Sequence, residues 1–344
     1  MKIALVNTIT PFIRGGAEIL VDDLFDQLQQ RGHRVTLFRL PFPNEYEVQL
    51  QELVLASKLL DFTSYDRVIA FKFPAYCVCH PHKVLWLFHQ FRQVYDLYGK
   101  EYGIQETSEG QAVKKLVENL DRREIGGAEK VYVNAEEVAN RLFQYNGLHS
   151  EILTPPLLNW ERYQEGKYGD YLYYPSRVNS LKRQYLAVES MRYVQTDVKL
   201  MIDGLCPDET YDREIRNTIK KYGLESRVIY RNEWVSDEEK IDRMANCLAA
   251  LYIPYLEDSC GFVTFEGFYS GKPVLTCTDS GGTKEFVTEG VTGYFSSPDP
   301  QELAKKMDLL YLNRKKTIAM GKYAKHEIIQ RNITWDETVR RLLQ

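Results

Sequence analysis

The chain has 344 residues, of which 44% are hydrophobic and 27% are charged, and its mean hydropathy is −0.40. This composition excludes disordered and fibrous proteins, and the length exceeds what one typical hydrophobic core supports, so we expect two globular domains. The net charge of −4 and the isoelectric point of about 6.0 give no electrostatic drive toward nucleic acids, and we expect no nucleic-acid partner.

Apolar runs and cysteines bear on the cellular compartment. No apolar run approaches the roughly 18 residues of a membrane span, and the first apolar segment, MKIALVN, leads into glycines without a signal-peptide cleavage site. The six cysteines are scattered, which favours reduced thiols over a disulfide framework. We therefore expect a cytoplasmic protein.

The first half of the chain alternates short apolar segments with amphipathic ones. Strands are predicted at 2–7, 34–40, 67–71, 83–88 and 130–134, and helices at 16–31, 46–60, 108–125 and 135–145. Because the strand segments are apolar throughout, they indicate a parallel sheet that is covered by helices on both faces. The pattern predicts one doubly wound α/β domain.

A second α/β series follows the segment LTPPLLNWERYQEGKYGD (153–170), whose Pro pair and glycines are typical of a linker. Strands are predicted at 171–176, 198–203, 227–232, 247–254 and 273–277, and helices at 183–193, 209–223, 236–245, 262–270 and after Pro300. We place an N-terminal Rossmann-like domain at 1–165 and a C-terminal one at 166–332, with a last helix at 333–344 returning to the first domain. Two such domains predict a central cleft between them, with ligands bound beyond the carboxyl ends of the strands.

Three residues of the first domain follow predicted strands. Gly15 and Gly16 form the turn after the first strand, and His89 ends the apolar segment KVLWLFH. Glycine pairs mostly mark turns, and a lone histidine is more often structural. Their positions at strand ends nevertheless favour a role in ligand binding.

Two cations follow the first strand of the second domain, in YYPSRVNSLKRQ (173–184). Arg177 and Lys182 lie at a strand end, where parallel sheets bind ligands, and they could bind an anion. The alternative is a solvated basic turn.

The segment DSCGFVTFE (258–266) has an acidic residue at each end and a glycine before a predicted helix. The amides of Gly261, Phe262 and Val263 would donate to a phosphate at the helix N-terminus. Glu266, about one turn into the helix, would accept hydrogen bonds from a ribose diol, and Asp258 would hold the group beyond the phosphates. The alternative is a helix-dipole acid followed by an ordinary surface glutamate.

Further candidates follow other strands of the second domain. Trp234 and Val235, in RNEWVS (231–236), would line a base pocket, although a buried tryptophan is the ordinary interpretation. Gly204, after the strand at 198–203, completes the set of candidate nucleotide-sugar contacts. Gly281, Gly282 and Glu285 are further candidates after the strand at 273–277, although they could form only a helix-starting turn.

The segment YLEDSCGFVTFEGFYSGKPVLTCTDSGG (255–282), together with the glycine turn and the Arg177–Lys182 segment, resembles retaining GT-B glycosyltransferases of family 4, the glycosyl transferases group 1. The likeness spans nearly the whole chain and is strongest at 171–295. One departure is Asp258, where the first acid of the family motif is normally glutamate. The resemblance implies a GT-B fold in which His89, Arg177, Lys182 and Asp258 serve catalysis. In that family the Arg and Lys neutralise the diphosphate leaving group, and the His contacts the donor sugar. The resemblance also places Gly281, Gly282 and Glu285 in a loop beside the donor.

The resemblance also implies the reaction. A hexose, with glucose from UDP-glucose as the best prediction and GDP or ADP sugars left open, would pass with retention to a glycan or lipid-linked oligosaccharide in polysaccharide biosynthesis. Acceptor contacts would lie in 91–125, and any membrane contact would be peripheral. No cofactor is expected, and no metal, because the chain has no Asp-x-Asp triplet and the CVCHPH spacing (77–82) matches no ligand pattern.

Two other functions share these features. A GT-B sugar-nucleotide epimerase or hydrolase would process the donor without an acceptor. A non-catalytic protein would bind the nucleotide sugar through Glu266 and Arg177 without turnover, but the presence of both cations and both acids argues against it.

Overall fold

The computed structural model describes residues 1–11, 15–42, 50–101, 103–257, 259 and 261–344. The chain divides into two compact units, which we call the first unit (Met1–Pro156 with Ile333–Gln344) and the second unit (Leu157–Asn332). The sequence predicts this division after residue 165, within a segment that packs as part of the second unit.

Within its described residues, the first unit holds a six-stranded parallel sheet in the order β2-β1-β3-β4-β5-β6. Its strands are β1 (Lys2–Ile9), β2 (Arg34–Pro41), β3 (Arg67–Lys72), β4 (Lys83–His89), β5 (Lys130–Val133) and β6 (Glu151–Ile152). Strands β1, β3 and β4 are buried along nearly their whole length, as their apolar sequences predict. Alternate residues of three central strands share one core, namely Ala4, Val6, Val68, Ala70, Leu85 and Leu87.

The described part of the second unit holds another six-stranded parallel sheet, in the order β12-β11-β10-β7-β8-β9. Its strands are β7 (Tyr171–Pro175), β8 (Lys199–Asp203), β9 (Val228–Arg231), β10 (Ala249–Leu251), β11 (Val274–Cys277) and β12 (Gly293–Ser296). The sequence patterns miss the edge strands β6 and β12, because β6 is two exposed residues and β12 begins with a glycine.

Eleven α-helices lie within the described residues. They are α1 (Gly16–Gln30), α2 (Leu50–Leu59), α3 (Ser108–Glu124), α4 (Glu136–Asn146), α5 (Gln184–Ser190), α6 (Glu209–Lys221), α7 (Asp237–Asn246), α8 (Phe262–Tyr269), α9 (Pro300–Leu312), α10 (Arg314–Gln330) and α11 (Trp335–Leu343). Part of the helix predicted at 46–60 falls on residues 46–49, outside the described residues. No helix in the described ranges has the length and hydrophobicity that crossing a bilayer requires.

The last helix, α11, packs on the first unit. Its backbone accepts two side-chain hydrogen bonds from strands of that unit: the Tyr132 hydroxyl donates to the Arg341 carbonyl at 3.0 Å, and the Arg67 guanidinium donates to the Leu342 carbonyl at 3.1 Å. The Leu342 side chain is fully buried. These contacts place the final residues in the first unit although they follow the second unit in sequence.

Strand order fixes where each sheet can bind a ligand. In both sheets the order reverses direction at one point, between β1 and β3 in the first unit and between β7 and β10 in the second. Neighbouring loops diverge at such a point, beyond the carboxyl ends of the strands, and leave a crevice. The residues that follow β1, β3, β7 and β10 are therefore the ones that this fold presents to a ligand.

Candidate active site

The predicted residues of the second unit lie along one edge of its sheet. Arg177 and Lys182 follow β7, Gly204 follows β8, Trp234 follows β9 and Gly261 follows β10. Because all these strands are parallel, their carboxyl ends share an edge. The two cations and the loop before Gly261 flank the point where the strand order reverses.

Lys182 ends a short 3-10 helix, Ser180–Lys182, whose start is capped by the Asn179 side chain. Its ammonium forms an ion pair with the Glu257 carboxylate and donates to the Tyr252 hydroxyl at 2.8 Å. The Tyr252 hydroxyl also donates to the Glu257 carboxylate at 3.0 Å. A residue of the loop after β10 therefore neutralises this cation.

Glu257 is a residue of this site that the sequence patterns do not mark. The signal that could have found it is its position next to Asp258 in the same loop. Asp258 and Cys260 lie outside the described residues, so the structure gives no geometry for the first acid of the motif.

Arg177 differs from Lys182 in its surroundings. Its side chain is exposed, and its guanidinium has no ion-pair or hydrogen-bond partner among the residues that the structure describes. It is therefore a cation that can bind an anion without first leaving a carboxylate.

Arg183 is the third cation of this segment, and it is structural. Its guanidinium donates to the Ile253 and Pro254 carbonyls at 2.7 and 2.8 Å and to both oxygens of Asp279 at 2.8 Å. These bonds tie the loops after β10 and β11 to the segment after β7. The hydrogen bonds of Arg183 therefore restrain the loop that carries Glu257.

Gly261 caps the N-terminus of α8 in a conformation that requires glycine. Its φ is 66°, and a Cβ atom there would lie 2.2 Å from the Tyr252 ring. Its own N–H donates to Ser259 Oγ at 3.3 Å. The amides of Phe262 and Val263 belong to the first helical turn, where N–H groups have no intrahelical acceptor.

Glu266 lies in the middle of α8 and is only 4% exposed. Its Oε1 atom accepts hydrogen bonds from the Lys240 ammonium at 2.8 Å and from the Tyr163 hydroxyl at 3.1 Å. Burial alone would lower the pKa of Lys240, but the adjacent Glu266 outweighs burial and raises it. The sequence analysis singled out neither partner.

The base-pocket candidates are accessible. The Trp234 side chain is 64% exposed and Val235 is half-buried. Trp234 is therefore not the core tryptophan that its residue type ordinarily indicates, and its ring is available for stacking.

Two glycines of the site allow close backbone approaches. Gly204 has a φ of 154°, and a Cβ atom there would lie 1.9 Å from the Ser176 carbonyl, so it lets the ends of β7 and β8 approach. A Cβ atom at Gly281, whose φ is 60°, would lie 2.1 Å from the Glu257 carbonyl. The Gly282 N–H donates to that carbonyl at 3.0 Å. The 3-10 turn Gly281–Glu285 thus supports the Glu257 loop.

In the first unit, the glycine turn after β1 is hydrogen-bonded to a side chain of α1, the helix that follows it. The Gly15 N–H donates to Glu18 Oε2 at 2.9 Å, and Glu18 Oε1 accepts from the Lys72 ammonium at 2.8 Å. Burial would raise the pKa of Glu18, but Lys72 and the Gly15 N–H outweigh burial and lower it. Gly16 is the first residue of α1, and Lys72 ends β3, across the reversal point from Gly15.

His89 is the last residue of β4 and is half-buried. Its Nδ1 lies 2.7 Å from the Gln90 carbonyl oxygen. Since a carbonyl only accepts, Nδ1 carries the proton of this bond, and Nε2 is left for another partner.

Residue types that bind metals occur within the described part of the chain. Across the described ranges, no three or more His, Cys, Asp or Glu side chains are arranged to hold a metal ion. The five described cysteines are free thiols, namely Cys77, Cys79, Cys206, Cys247 and Cys277.

Sequence comparison finds relatives of part of this chain. Residues 161–327 match the family model described as Glycosyl transferases group 1. The chain is 34% identical over 122 residues to the alpha-1,3/1,6-mannosyltransferase ALG2 of Dictyostelium discoideum, an alignment that covers 35% of this chain and 28% of that protein. The ALG2 of Mus musculus is 31% identical over 96 residues, covering 28% and 22%. The chain thus aligns with less than a third of the length of these relatives.

Solved structures share the fold over nearly the whole chain. Alr3699/HepE of Anabaena in complex with UDP-glucose has a TM-score of 0.75 at 19% identity, covering 100% of this chain and 98% of that one. Sucrose-phosphate synthase (tll1590) from Thermosynechococcus elongatus has a TM-score of 0.78 at 16% identity, covering 99% and 97%. These likenesses and the two parallel sheets confirm the predicted α/β fold of GT-B type. Residues 161–327, which match the glycosyl transferases group 1 model, lie in the second unit of this fold.

Proposed function

We propose that this chain is a glycosyltransferase that moves a hexose from a nucleoside diphosphate donor to a glycan acceptor. The observation that carries the proposal is the set of groups around the β7–β10 reversal point, in a domain that matches glycosyl transferases group 1. The cations Arg177 and Lys182, the glycine-capped N-terminus of α8 and the carboxylate of Glu266 all follow strands at one sheet edge. A nucleoside diphosphate needs these three kinds of group.

The diphosphate would be bound by both cations. Arg177 is available without rearrangement, whereas Lys182 exchanges its internal partner, Glu257, for a phosphate oxygen. The amides of Phe262 and Val263 at the start of α8 add donors to the same charge. Fixed positive groups of this kind stabilise the charge that grows on the departing diphosphate as the sugar becomes oxocarbenium-like.

The nucleoside would be bound by the remaining candidates of the second unit. Glu266 accepts from the ribose hydroxyls, and Trp234 and Val235 line the base pocket beside Gly204. Asp258, which lies outside the described residues, keeps the sugar-binding role that the family resemblance gives it. For the first unit, the family resemblance gives His89, Gly15 and Gly16 roles in binding the donor or the acceptor, and these roles stay predictions.

The stereochemical course in this proposal is retention, without a metal or other cofactor. The acceptor hydroxyl enters from the leaving-group face, and a phosphate oxygen takes its proton. No nucleophilic side chain is then required. An unchanged rate in excess chelator, and an unchanged anomeric configuration in the product by NMR, are the results that this course requires.

The donor sugar has two candidates. The sequence predicts UDP-glucose, and the relatives named alpha-1,3/1,6-mannosyltransferases favour a mannosyl donor. We propose a glycan or lipid-linked oligosaccharide as the acceptor, in a cytoplasmic enzyme whose membrane contact is peripheral.

A donor panel tests the proposal. The purified protein is incubated with UDP-glucose, GDP-mannose and ADP-glucose, with and without lipid-linked acceptors extracted from cells, and nucleotide release is measured. A transferase releases nucleotide when both donor and acceptor are present. Release without acceptor would instead identify a hydrolase, conversion of the sugar an epimerase, and binding without turnover a non-catalytic protein.

A further inference from the structure

The carboxylate of Glu266 is occupied on one oxygen only. Oε1 accepts from both Lys240 and Tyr163, at 2.8 and 3.1 Å. Oε2 makes no hydrogen bond with any residue that the structure describes, and it is not among the unpartnered polar atoms that are sealed from solvent. An ionised carboxylate has acceptor sites on both oxygens, so half of this group is open to a partner from outside.

The two donors come from different elements. Lys240 belongs to α7, and Tyr163 follows the short 3-10 helix Trp160–Arg162 at the start of the second unit. The Trp160 ring stacks on Tyr269, three residues beyond Glu266 on α8, with 5.0 Å between ring centroids. The segment that carries Tyr163 is therefore fastened to the same helix that carries Glu266.

The two donors fix the carboxylate in one orientation. The Lys240 ammonium can only donate, and its charge makes the hydrogen bond to Oε1 a strong one. Burial, together with the adjacent Glu266, raises the pKa of Tyr163, so its hydroxyl stays a donor. Rotating the carboxylate so that neither oxygen faces Lys240 and Tyr163 would break two hydrogen bonds in a buried site, which is unfavourable.

We propose that Tyr163 and Lys240 are positioning residues that hold Oε1 of Glu266, so that Oε2 is presented to the ribose hydroxyls of the donor nucleotide. This inference rests on the proposed function, because it deepens the role of Glu266 there. It assigns the preference for ribose to two residues that do not touch the ligand. Both are additions to the residues that the family motif marks.

Isothermal titration calorimetry with matched ligands tests the assignment. Wild-type protein is titrated with UDP, GDP and ADP, and the tightest of these is compared with its 2′,3′-dideoxy form. We expect a preference for the ribose form of at least about tenfold, since hydrogen bonds to a charged acceptor are strong. Tyr163→Phe and Lys240→Gln should each reduce that preference to about threefold or less, with the affinity for the dideoxy form unchanged.

The chain supplies matched controls. Tyr168 lies in the same segment, but its hydroxyl donates to the Gly271 carbonyl at 2.5 Å, so Tyr168→Phe should leave the preference intact. Lys240→Arg keeps the charge and should restore much of the preference that Lys240→Gln loses. Thermal denaturation and circular dichroism establish that each variant is folded, and Lys240→Gln provides the test if Tyr163→Phe is not.

The possible failures are distinct. A wild-type protein that binds none of the three nucleotides overturns the proposed function together with the inference. Nucleotide binding whose ribose preference survives in both variants overturns the inference alone. Variants that lose affinity equally for the ribose and dideoxy forms also overturn it, because a purely structural role has that effect.

Discussion

The ammonium of Lys182, after β7, is ion-paired with the carboxylate of Glu257, after β10. The two residues are 75 positions apart in sequence and meet because β7 and β10 are neighbours in the sheet. One of the two cations proposed to bind the diphosphate therefore carries an internal counter-ion, which such a ligand would have to displace.

Removing this counter-ion should strengthen diphosphate binding. Glu257→Gln leaves the Lys182 charge without its carboxylate, and we expect a lower Kd for the preferred nucleoside diphosphate by calorimetry, with a steeper dependence on salt. Lys182→Ala should lower transition-state stabilisation by at least about 2 kcal/mol in kcat/KM. Lys199→Ala is the matched control, since Lys199 starts β8 at the other edge of the sheet and pairs with Asp170. Weaker binding by Glu257→Gln would contradict this account.

Arg177 and Arg183 should separate activity from stability. Arg177 is exposed without a partner among the described residues, so Arg177→Ala should reduce turnover and leave the melting temperature unchanged. Arg183→Ala breaks bonds to Asp279 and to two carbonyls, and should lower the free energy of unfolding by roughly 2 kcal/mol or more. Thermal denaturation and steady-state kinetics on both variants give the comparison. A destabilised Arg177→Ala would refute the distinction.

Gly261 should not tolerate alanine, because its φ is positive and because a Cβ atom there would clash with Tyr252. Gly223 separates these two effects. Both glycines have positive φ, 66° and 62°, but a Cβ atom at Gly223 meets nothing within 4 Å. Gly223→Ala should therefore lower the free energy of unfolding by only about 1 kcal/mol, the effect of the backbone conformation. Gly261→Ala adds a clash with Tyr252, so it should destabilise the protein more and also weaken nucleotide binding. Equal effects of the two substitutions on unfolding and on Kd would argue against the α8 N-terminus as a binding element.

The first unit contains a buried acid that should make stability depend on pH. Asp121 is fully buried and accepts hydrogen bonds from Tyr76 at 2.5 Å and from Tyr95 at 2.8 Å. Burial raises its pKa to about 7, although the two hydroxyls oppose the shift. The folded state thus binds the Asp121 proton more tightly than the unfolded state does, and the stability that this proton contributes is lost as the pH rises toward 7.

Asp121→Asn should remove this dependence. Between pH 5 and pH 8 the stability of the variant relative to wild type should increase by up to about 3 kcal/mol, since about two pKa units of the shift lie above pH 5 and each corresponds to about 1.36 kcal/mol. Urea denaturation at the two pH values gives the free energies of unfolding. A difference between variant and wild type that does not change with pH would show that Asp121 ionises normally.

The sequence alone determined the alternation of strands and helices and the positions of the residues that follow strands. The pattern of apolar residues along the chain is a local property. The apolar segments around Val6 and Leu87 therefore indicate buried parallel strands before any tertiary information is used. A residue such as Lys182 or Gly261 could then be assigned to the ligand-binding edge, since parallel strands end on the same side.

Only the tertiary structure decided which residues pair at that edge. Glu266 meets Tyr163 across 103 positions of sequence, and nothing local to either residue indicates the contact. Strand order, the packing of α7 and α8, and the exposure of Trp234 depend on contacts that are summed over the whole domain. Local pattern encodes which face of an element is buried, whereas the partner that buries it is set by the arrangement of all elements together.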